Sequence, residues 1–305
     1  MTKIRLKQFP LLLLAMASLS LHGQMAGRLD RYPGFESQNI ENRRVDIWFP
    51  SKVDGPYKVL IMHDGQMLFN ADSTWNKQEW GVDECLDSLI QQEMLEPTII
   101  VGIWNIYDDR HRNYFPQKPF ESLNPSTQDS LLQLGRGGSE AHLFSDKPDS
   151  DDYLKFIFQE LMPWLRENYP IREGAENVSM MGSSMGGLIS MYAALEYPSE
   201  LHSVACVSTH WPGVWQNENN PIPDAFLIYL ESHQAEASQT RWYYDRGDAT
   251  LDSLYQPHQD RVNALYESWG FSESNFQSKA FPGAAHRELD WQSRLPDILL
   301  FLLGS

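Results

Sequence analysis

Gly182-Ser183-Ser184-Met185-Gly186 places one serine between two glycines, each two positions away. The apolar run "VSMM" precedes it and "LISMYAAL" follows, so the stretch reads as strand, tight turn and helix. A turn that raises a serine above a sheet edge is crowded, and Gly182 and Gly186 supply the small neighbours it needs. Gly187 then lets the helix pack close. Ser184 is the centred candidate nucleophile, and Ser183 reads as a turn residue.

A serine hydroxyl needs a base to act as a nucleophile, and on such a turn the expected chain order is serine, acid, histidine. Among the histidines that follow Ser184 are His210, His233, His258 and His286. His233 and His258 lie in helical patterns. His210 comes too soon for an acid-bearing strand to intervene, and reads as a polar wall or capping residue. His286, in "FPGAAHRELDW" after the last strand, is the expected base. The acid should follow the strand "RWYYDRG". Asp245 is fixed inside that strand, whereas Asp248 and Asp252 lie beyond Gly247 on a loop, and spacing leaves these two open. The oxyanion of the tetrahedral intermediate needs two backbone N–H donors. Met185 should give one and Gln66, in "HDGQ" after an early strand, the other.

The elements that position these groups alternate from about Asn42 onward. "RRVDIWFP", "YKVLIMHDG", "PTIIVGIWN", "VSMM", "LHSVACVSTHW", "TRWYYDRGD" and "NFQSKAFPG" read as strands. "EWGVDECLDSLIQQEM", "DDYLKFIFQELMPWLRENYP", "PDAFLIYLESHQAEA", "YQPHQDRVNALYESWG" and "DWQSRLPDILLFLL" read as helices. This alternation predicts an α/β fold with a mostly parallel central sheet and helices on both faces, binding its ligand at the carboxyl ends of the strands. A segment over about 105–150, rich in Pro, Gly, Asn, Asp and aromatics, reads as a lid or binding segment. Trp104, Tyr107, Arg112, Tyr114 and Phe115 are its candidate substrate contacts, joined by His210, Trp211 and Trp215 after a later strand.

Lys3, Arg5 and Lys7 precede an apolar stretch from Phe9 to Leu21. This is the pattern of an export signal over 1–23, followed by one domain over 24–305 in a secreted or periplasmic protein. The stretch is short for a span, so no stable membrane insertion is expected after its removal. A net charge of −17 disfavours nucleic-acid binding. Cys85 and Cys206 fall in helix and strand patterns and read as small buried residues rather than a bridge. No zinc-protease, phosphate-loop or dinucleotide motif is present, and no cofactor or metal is expected. Nothing in the sequence fixes an oligomeric state.

With Ser184, His286, "MHDGQMLF", "MGSSMGGLISMY", "DRGDATLDSLY" and "FPGAAHRELDWQSRL" together, the chain resembles the esterase D-like family of α/β-hydrolases over nearly all of its mature length. That family includes feruloyl and acetyl esterases of plant polysaccharides, enterochelin esterases, formylglutathione hydrolases and mycolyltransferases. The resemblance implies an α/β-hydrolase fold and a serine carboxylic ester hydrolase. In the most similar branch the acid segment reads Gly-Thr-x-Thr-Leu-Asp. Gly247, Thr250, Leu251 and Asp252 match and Asp248 departs, which favours Asp252 as the acid. Met67 stands where relatives of the "HDGQ" loop carry Asn. The expected substrates are small-molecule or polysaccharide esters, with acetyl or feruloyl groups on carbohydrate first. The alternatives are a siderophore trilactone esterase, an acyltransferase, or an inactive binding domain on a hydrolase scaffold.

Overall fold

Every residue of Thr98–Ile103 and of Val178–Ser183 is buried, as strands covered on both faces require. The computed structural model describes residues 26–136, 141–215 and 219–304, and the expected export signal over 1–23 lies outside them. The described strands are β1 (Arg28–Phe35), β2 (Arg43–Phe49), β3 (Lys58–His63), β4 (Thr98–Ile103), β5 (Val178–Ser183), β6 (Ser203–Val207), β7 (Arg241–Arg246) and β8 (Phe276–Ala280). They form one sheet in the order β1-β2-β4-β3-β5-β6-β7-β8. The first two are antiparallel to their neighbours, and from β4 to β8 every pairing is parallel.

Pleating sends alternate residues to two separate cores. Val59, Ile61, Ile99, Val101, Val178 and Met180 join the core that holds the helix Met185–Glu196. Leu60, Met62, Ile100, Met181 and Val207 join the other, with the helices Val82–Gln91 and Leu295–Leu303. The helix Met185–Glu196 is apolar nearly all round because it is enclosed nearly all round. No helix among the described residues is long and apolar enough to cross a membrane.

Four elements depart from the sequence pattern, one of them the helix expected over "PDAFLIYLESHQAEA", which breaks at His233 into Ile222–Ser232 and Gln234–Ala237. β1 was not expected: it is an edge strand with no residue fully buried and with Pro33 and Gly34 at a register shift, so it carries no apolar period. The helix expected over "DDYLKFIFQELMPWLRENYP" is continuous past Pro163, but only by widening to a π-type turn over Phe156–Leu161. The closing helix is two, Glu288–Gln292 and Leu295–Leu303, divided where buried Arg294 turns toward β7.

The segment after β4 is less open than its composition suggests. It holds the short helices Arg110–Tyr114, Gln117–Glu121 and Pro125–Leu132. Phe115, Phe120 and Phe144 pack against one another in the core. Cys206 is buried in β6, Cys85 is half-buried, and both are free thiols.

Candidate active site

Ser184 sits between β5 and the helix Met185–Glu196 at φ 60°, ψ −120°, a conformation that costs energy in any residue but glycine. The turn is held by main-chain bonds from Ser184 N to Val207 O at 2.9 Å and from His210 N to Ser184 O at 3.2 Å. A Cβ at Gly182 would stand 2.7 Å from Gly186 C, and one at Gly187 2.9 Å from Thr209 Oγ1. At Gly186 it would meet His63 Cβ at an ordinary 3.5 Å. The close approaches therefore belong to Gly182 and Gly187; position 186 tolerates more than the motif suggests.

Across the sheet's carboxyl edge, His286 Nδ1 lies 2.5 Å from Asp252 Oδ1. The other oxygen, Oδ2, accepts Ser208 Oγ–H at 2.6 Å and Gly247 N–H at 2.6 Å. Asp252 is fully buried, and against that cost His286 first, then Ser208 and Gly247, hold its carboxyl below the usual carboxylate range. Gly247 is required here, because a Cβ would stand 2.1 Å from Ala284 O.

Asp248 has a different task. Its Oδ1 accepts Gly283 N–H at 2.7 Å, and its own N–H donates to Ala284 O at 3.2 Å. His286 N–H donates to Thr250 Oγ1 at 2.8 Å. These bonds stitch the loop after β7 to the loop after β8, so Asp248 braces the histidine loop while Asp252 bonds the imidazole. Asp245 points into the core, paired with Arg294 at 2.9 Å, and burial pushes its carboxyl up to about 6 despite that pair.

The "HDGQ" loop leaves β3 through Asp64 in the left-handed region at φ 56°. Its carboxylate accepts Arg110 Nε–H at 2.8 Å, Arg110 Nη2–H at 2.7 Å and Asn105 Nδ2–H at 2.6 Å. Burial opposes these contacts, but they hold the Asp64 carboxyl below its ordinary value. Gln66 Oε1 accepts Asn105 N–H at 3.3 Å. His63, hydrogen-bonded to Tyr153 at 2.8 Å, is driven down to about 3 by burial and is neutral. Met185 opens its helix, where the first N–H groups have no intrahelical acceptor.

The expected substrate contacts divide. Trp104 lines a cleft of about 200 Å³ with Gln66, Phe69, Arg31 and Arg44. The Arg44 guanidinium lies 4.0 Å over its ring and Asp46 accepts its Nε1–H at 3.0 Å. Tyr114 is fully buried, and its hydroxyl accepts Asp64 N–H at 3.2 Å, so it supports the loop rather than walling a pocket. Arg112 is spent on Asp149, with Glu41 and Asp109 nearby. Phe115 is core. Trp211 is also core, stacked with Tyr244 and donating to Gln259 at 3.1 Å. Trp215 is the exposed one of that pair, its ring 6.0 Å from His210. His210 is buried and bonds Tyr255.

Ser208, Asp64, Arg110 and Tyr255 were not expected at the site from the sequence. A faint signal was there for Ser208: polar Ser208-Thr209-His210 follows directly on an apolar strand at the carboxyl edge. The Asp64–Arg110 pair joins loops 46 residues apart in sequence, and no spacing announces it.

The sequence model of the family described as "Putative esterase" matches residues 37–302. The chain belongs to this esterase family. The family makes it an ester hydrolase, and its fold is of the α/β-hydrolase type. It is 29% identical to the Bacillus subtilis (strain 168) protein YbbA, over 86% of this chain and 93% of that one. It is 26% identical to the iron(III) enterobactin esterase of Escherichia coli (strain K12), over 53% of this chain and only 38% of the relative. Among solved structures, a ferulic acid esterase matches with a TM-score of 0.63 at 16% identity, covering 91% of this chain and 98% of that one. The ferric enterobactin esterase of Salmonella typhimurium matches with a TM-score of 0.61 at 19% identity, covering 92% of this chain and 59% of that one. At these identities the structural likeness speaks for the fold alone.

Proposed function

We propose that this esterase is a serine enzyme in which Ser184 attacks, His286 carries the proton and Asp252 orients His286. The observation that carries the reading is the 2.5 Å bond from His286 Nδ1 to a buried, fully bonded Asp252, on the same sheet edge as a serine in a strained turn. Ser184 Oγ adds to the ester carbonyl carbon and its proton passes to His286 Nε2. The N–H groups of Met185 and Gln66 receive the oxyanion. Collapse expels the alcohol with the proton from His286. Water then adds to the acyl-enzyme, its proton passing to His286, and the second collapse returns that proton to Ser184 and frees the acid. Turnover of p-nitrophenyl acetate tests this: wild type should be active and Ser184→Ala inactive, whereas equal rates would refute it.

For the substrate we propose acyl groups, acetyl or feruloyl, on carbohydrate, met by an exported enzyme of one domain. Supporting this, Trp75, Tyr107 and Trp215 are 85%, 74% and 61% exposed on loops that follow β3, β4 and β6, where flat rings suit sugar faces and phenolic acids. Ser184-dependent release from acetylated xylan or feruloylated arabinoxylan is the expected result. A trilactone siderophore is the second reading, favoured by the likeness to the E. coli enterobactin esterase and by the arginine-bearing cleft beside Gln66. Faster turnover of a catecholate trilactone than of any polysaccharide ester would select it. Release of product with and without alcohol acceptors separates hydrolysis from acyl transfer.

A further inference from the structure

The cleft beside Gln66 holds a charge for which Ser184, His286 and Asp252 have no use. Gln66 lines this cleft, and Gly186, two positions after Ser184, faces His63 and Asp64 just before Gln66. The cleft therefore opens next to the place proposed for the oxyanion. Its volume is about 200 Å³, room for one sugar residue, and Trp104 and Phe69 form its apolar wall.

Two arginines, Arg31 and Arg44, and one carboxylate, Asp46, line it among the described residues. Arg31 and Asp46 stand directly opposite each other in the pairing of β1 with β2, so their side chains leave the same face of the sheet. That carboxylate is already taken. Arg44 Nε–H donates to Asp46 Oδ1 at 2.8 Å, and Arg44 Nη2–H and Trp104 Nε1–H donate to Oδ2 at 2.9 Å and 3.0 Å. Arg31 is exposed and has no ion pair among the described residues. One positive charge is thus left over in the cleft of a chain whose net charge is −17. Asn70 adds a neutral donor. Its Oδ1 accepts Asp72 N–H at 2.9 Å, and its NH2 group has no partner among the described residues.

We propose that this cleft is a subsite for a uronate, with the sugar carboxylate on Arg31, the ring against Trp104 and Phe69, and a ring hydroxyl on the Asn70 NH2 group. A guanidinium meets a carboxylate through two parallel N–H···O bonds, which a neutral hexose cannot accept in the same way. An apolar wall with a few fixed polar groups is the usual make-up of a small-ligand site. The inference rests on the proposed reading of the substrate as an acylated carbohydrate and narrows it to acidic carbohydrate. A catechol ring, which has phenolic oxygens and no carboxylate, is the rival for the same cleft.

The test measures kcat/KM for acetate release from monoacetates of methyl glucuronoside and of methyl glucoside, which carries CH2OH in place of the carboxylate. Wild type and Arg31→Gln are compared, with thermal unfolding to show that the variant folds. The readout is the ratio of the two values, from which any general loss in the variant cancels. The expected wild-type ratio at low salt is about 5 to 10 in favour of the glucuronoside, the low end for a bond to a charged group because Arg31 is exposed. It should fall to about 1 in Arg31→Gln, and also in wild type at about 1 M salt, where the Debye length is about 3 Å. A wild-type ratio of about 1 at low salt, or a preference that survives Arg31→Gln, would overturn the inference. Inhibition of p-nitrophenyl acetate turnover reads the cleft without requiring a sugar ester to react. Unacylated methyl glucuronoside should inhibit wild type at about 5- to 10-fold lower concentration than methyl glucoside. Stronger inhibition by 2,3-dihydroxybenzamide than by the glucuronoside would overturn the uronate and give the cleft to the trilactone reading. Turnover of p-nitrophenyl acetate but of neither sugar ester would refute the carbohydrate reading. Preferential inhibition by the glucuronoside would then still support the subsite, and equal inhibition by the two glycosides would overturn it.

Discussion

Asp252→Asn should separate the two aspartates that the sequence leaves open, because the structure fixes how the new amide must sit. Oδ2 of Asp252 accepts from Ser208 Oγ and from Gly247 N–H, both at 2.6 Å. The Gly247 donor is main chain and cannot reverse, so the oxygen of the introduced amide must take that place. Its NH2 group then falls where Oδ1 stands, 2.5 Å from His286 Nδ1 in the native structure. Two donors cannot share that line, so His286 moves its proton to Nε2, the nitrogen that must accept from Ser184. The same substitution in a triad protease, with the same wrong tautomer, costs about 10⁴ in turnover. At about 1.36 kcal/mol per decade that is about 5.4 kcal/mol of barrier. The amide introduced by Asp248→Asn, by contrast, still offers an oxygen to Gly283 N–H, which Asp248 accepts at 2.7 Å. Asp248→Asn should therefore lose less than about fivefold, within the cost of one exposed hydrogen bond. The assay is kcat for p-nitrophenyl acetate from about pH 6 to about pH 9, with thermal unfolding to show that both variants fold. More than a tenth of wild-type turnover in Asp252→Asn, or an equal loss in Asp248→Asn, would refute the assignment.

Ser208→Ala strips the Oδ2 anchor and leaves Trp291 Nε1–H, which donates to Ser208 Oγ at 3.0 Å, without its acceptor; kcat should fall about tenfold, as for one charge-assisted bond. The depressed Asp252 carboxyl contributes stability above its ordinary value of 3.8 that is lost as pH falls through its folded value. Ser208→Ala should therefore start to lose melting temperature at a higher pH than wild type in a scan between about pH 3 and about pH 6. Arg110→Met strands Asp64 with one donor; urea unfolding should show a loss of about 2–3 kcal/mol, below the range for fully buried pairs because the Arg110 side chain is 28% exposed. Burial and the adjacent Glu84 push Asp83 up to about 9, so between about pH 4 and about pH 9 the folded chain holds a proton there that the unfolded chain releases, and stability falls as pH rises. Asp83→Asn should melt above wild type at about pH 8, with the difference closing toward about pH 4.

The parallel core of the sheet was legible because strands buried on both faces read as short apolar runs, as "TIIVGI" and "VSMM" do. β1 was not, because an edge strand with no residue fully buried leaves no pattern to read. The aromatics after β4 were legible as a group but not in direction. Tyr114 turns inward against His63 and Tyr153 and Phe115 against Phe120, Phe144 and Phe226, whereas Trp104 faces a cleft and Tyr107 faces solvent. Ser184 stood out because its turn writes glycines into the local sequence. The choice between Asp248 and Asp252 is made by bonds to Gly283, Ser208 and Gly247. The residues that bond Asp252 come from three different loops, and no local pattern encodes such a meeting.

Three carboxylates within eight residues meet three environments, and the difference explains why one suits the histidine. An orienting carboxylate must stay ionised where water is excluded and must present one fixed oxygen to the imidazole. Asp245 has one cation, Arg294, and is buried deeply enough that its carboxyl still rises to about 6. Asp248 faces solvent and spends its bonded oxygen on Gly283. Asp252 alone has one oxygen occupied by two donors and the other turned to His286. Its neighbour in this is Asp245: Oδ1 of Asp245 accepts Ser208 N–H at 3.2 Å, and Ser208 Oγ–H in turn donates to Asp252. The buried Asp245–Arg294 pair thus fixes the serine whose hydroxyl, after His286, helps hold the Asp252 carboxyl below its ordinary value. This gives a buried ion pair outside the reacting atoms a reason to lie at the end of β7, and it makes the geometry at His286 depend on where Arg294 interrupts the closing helices.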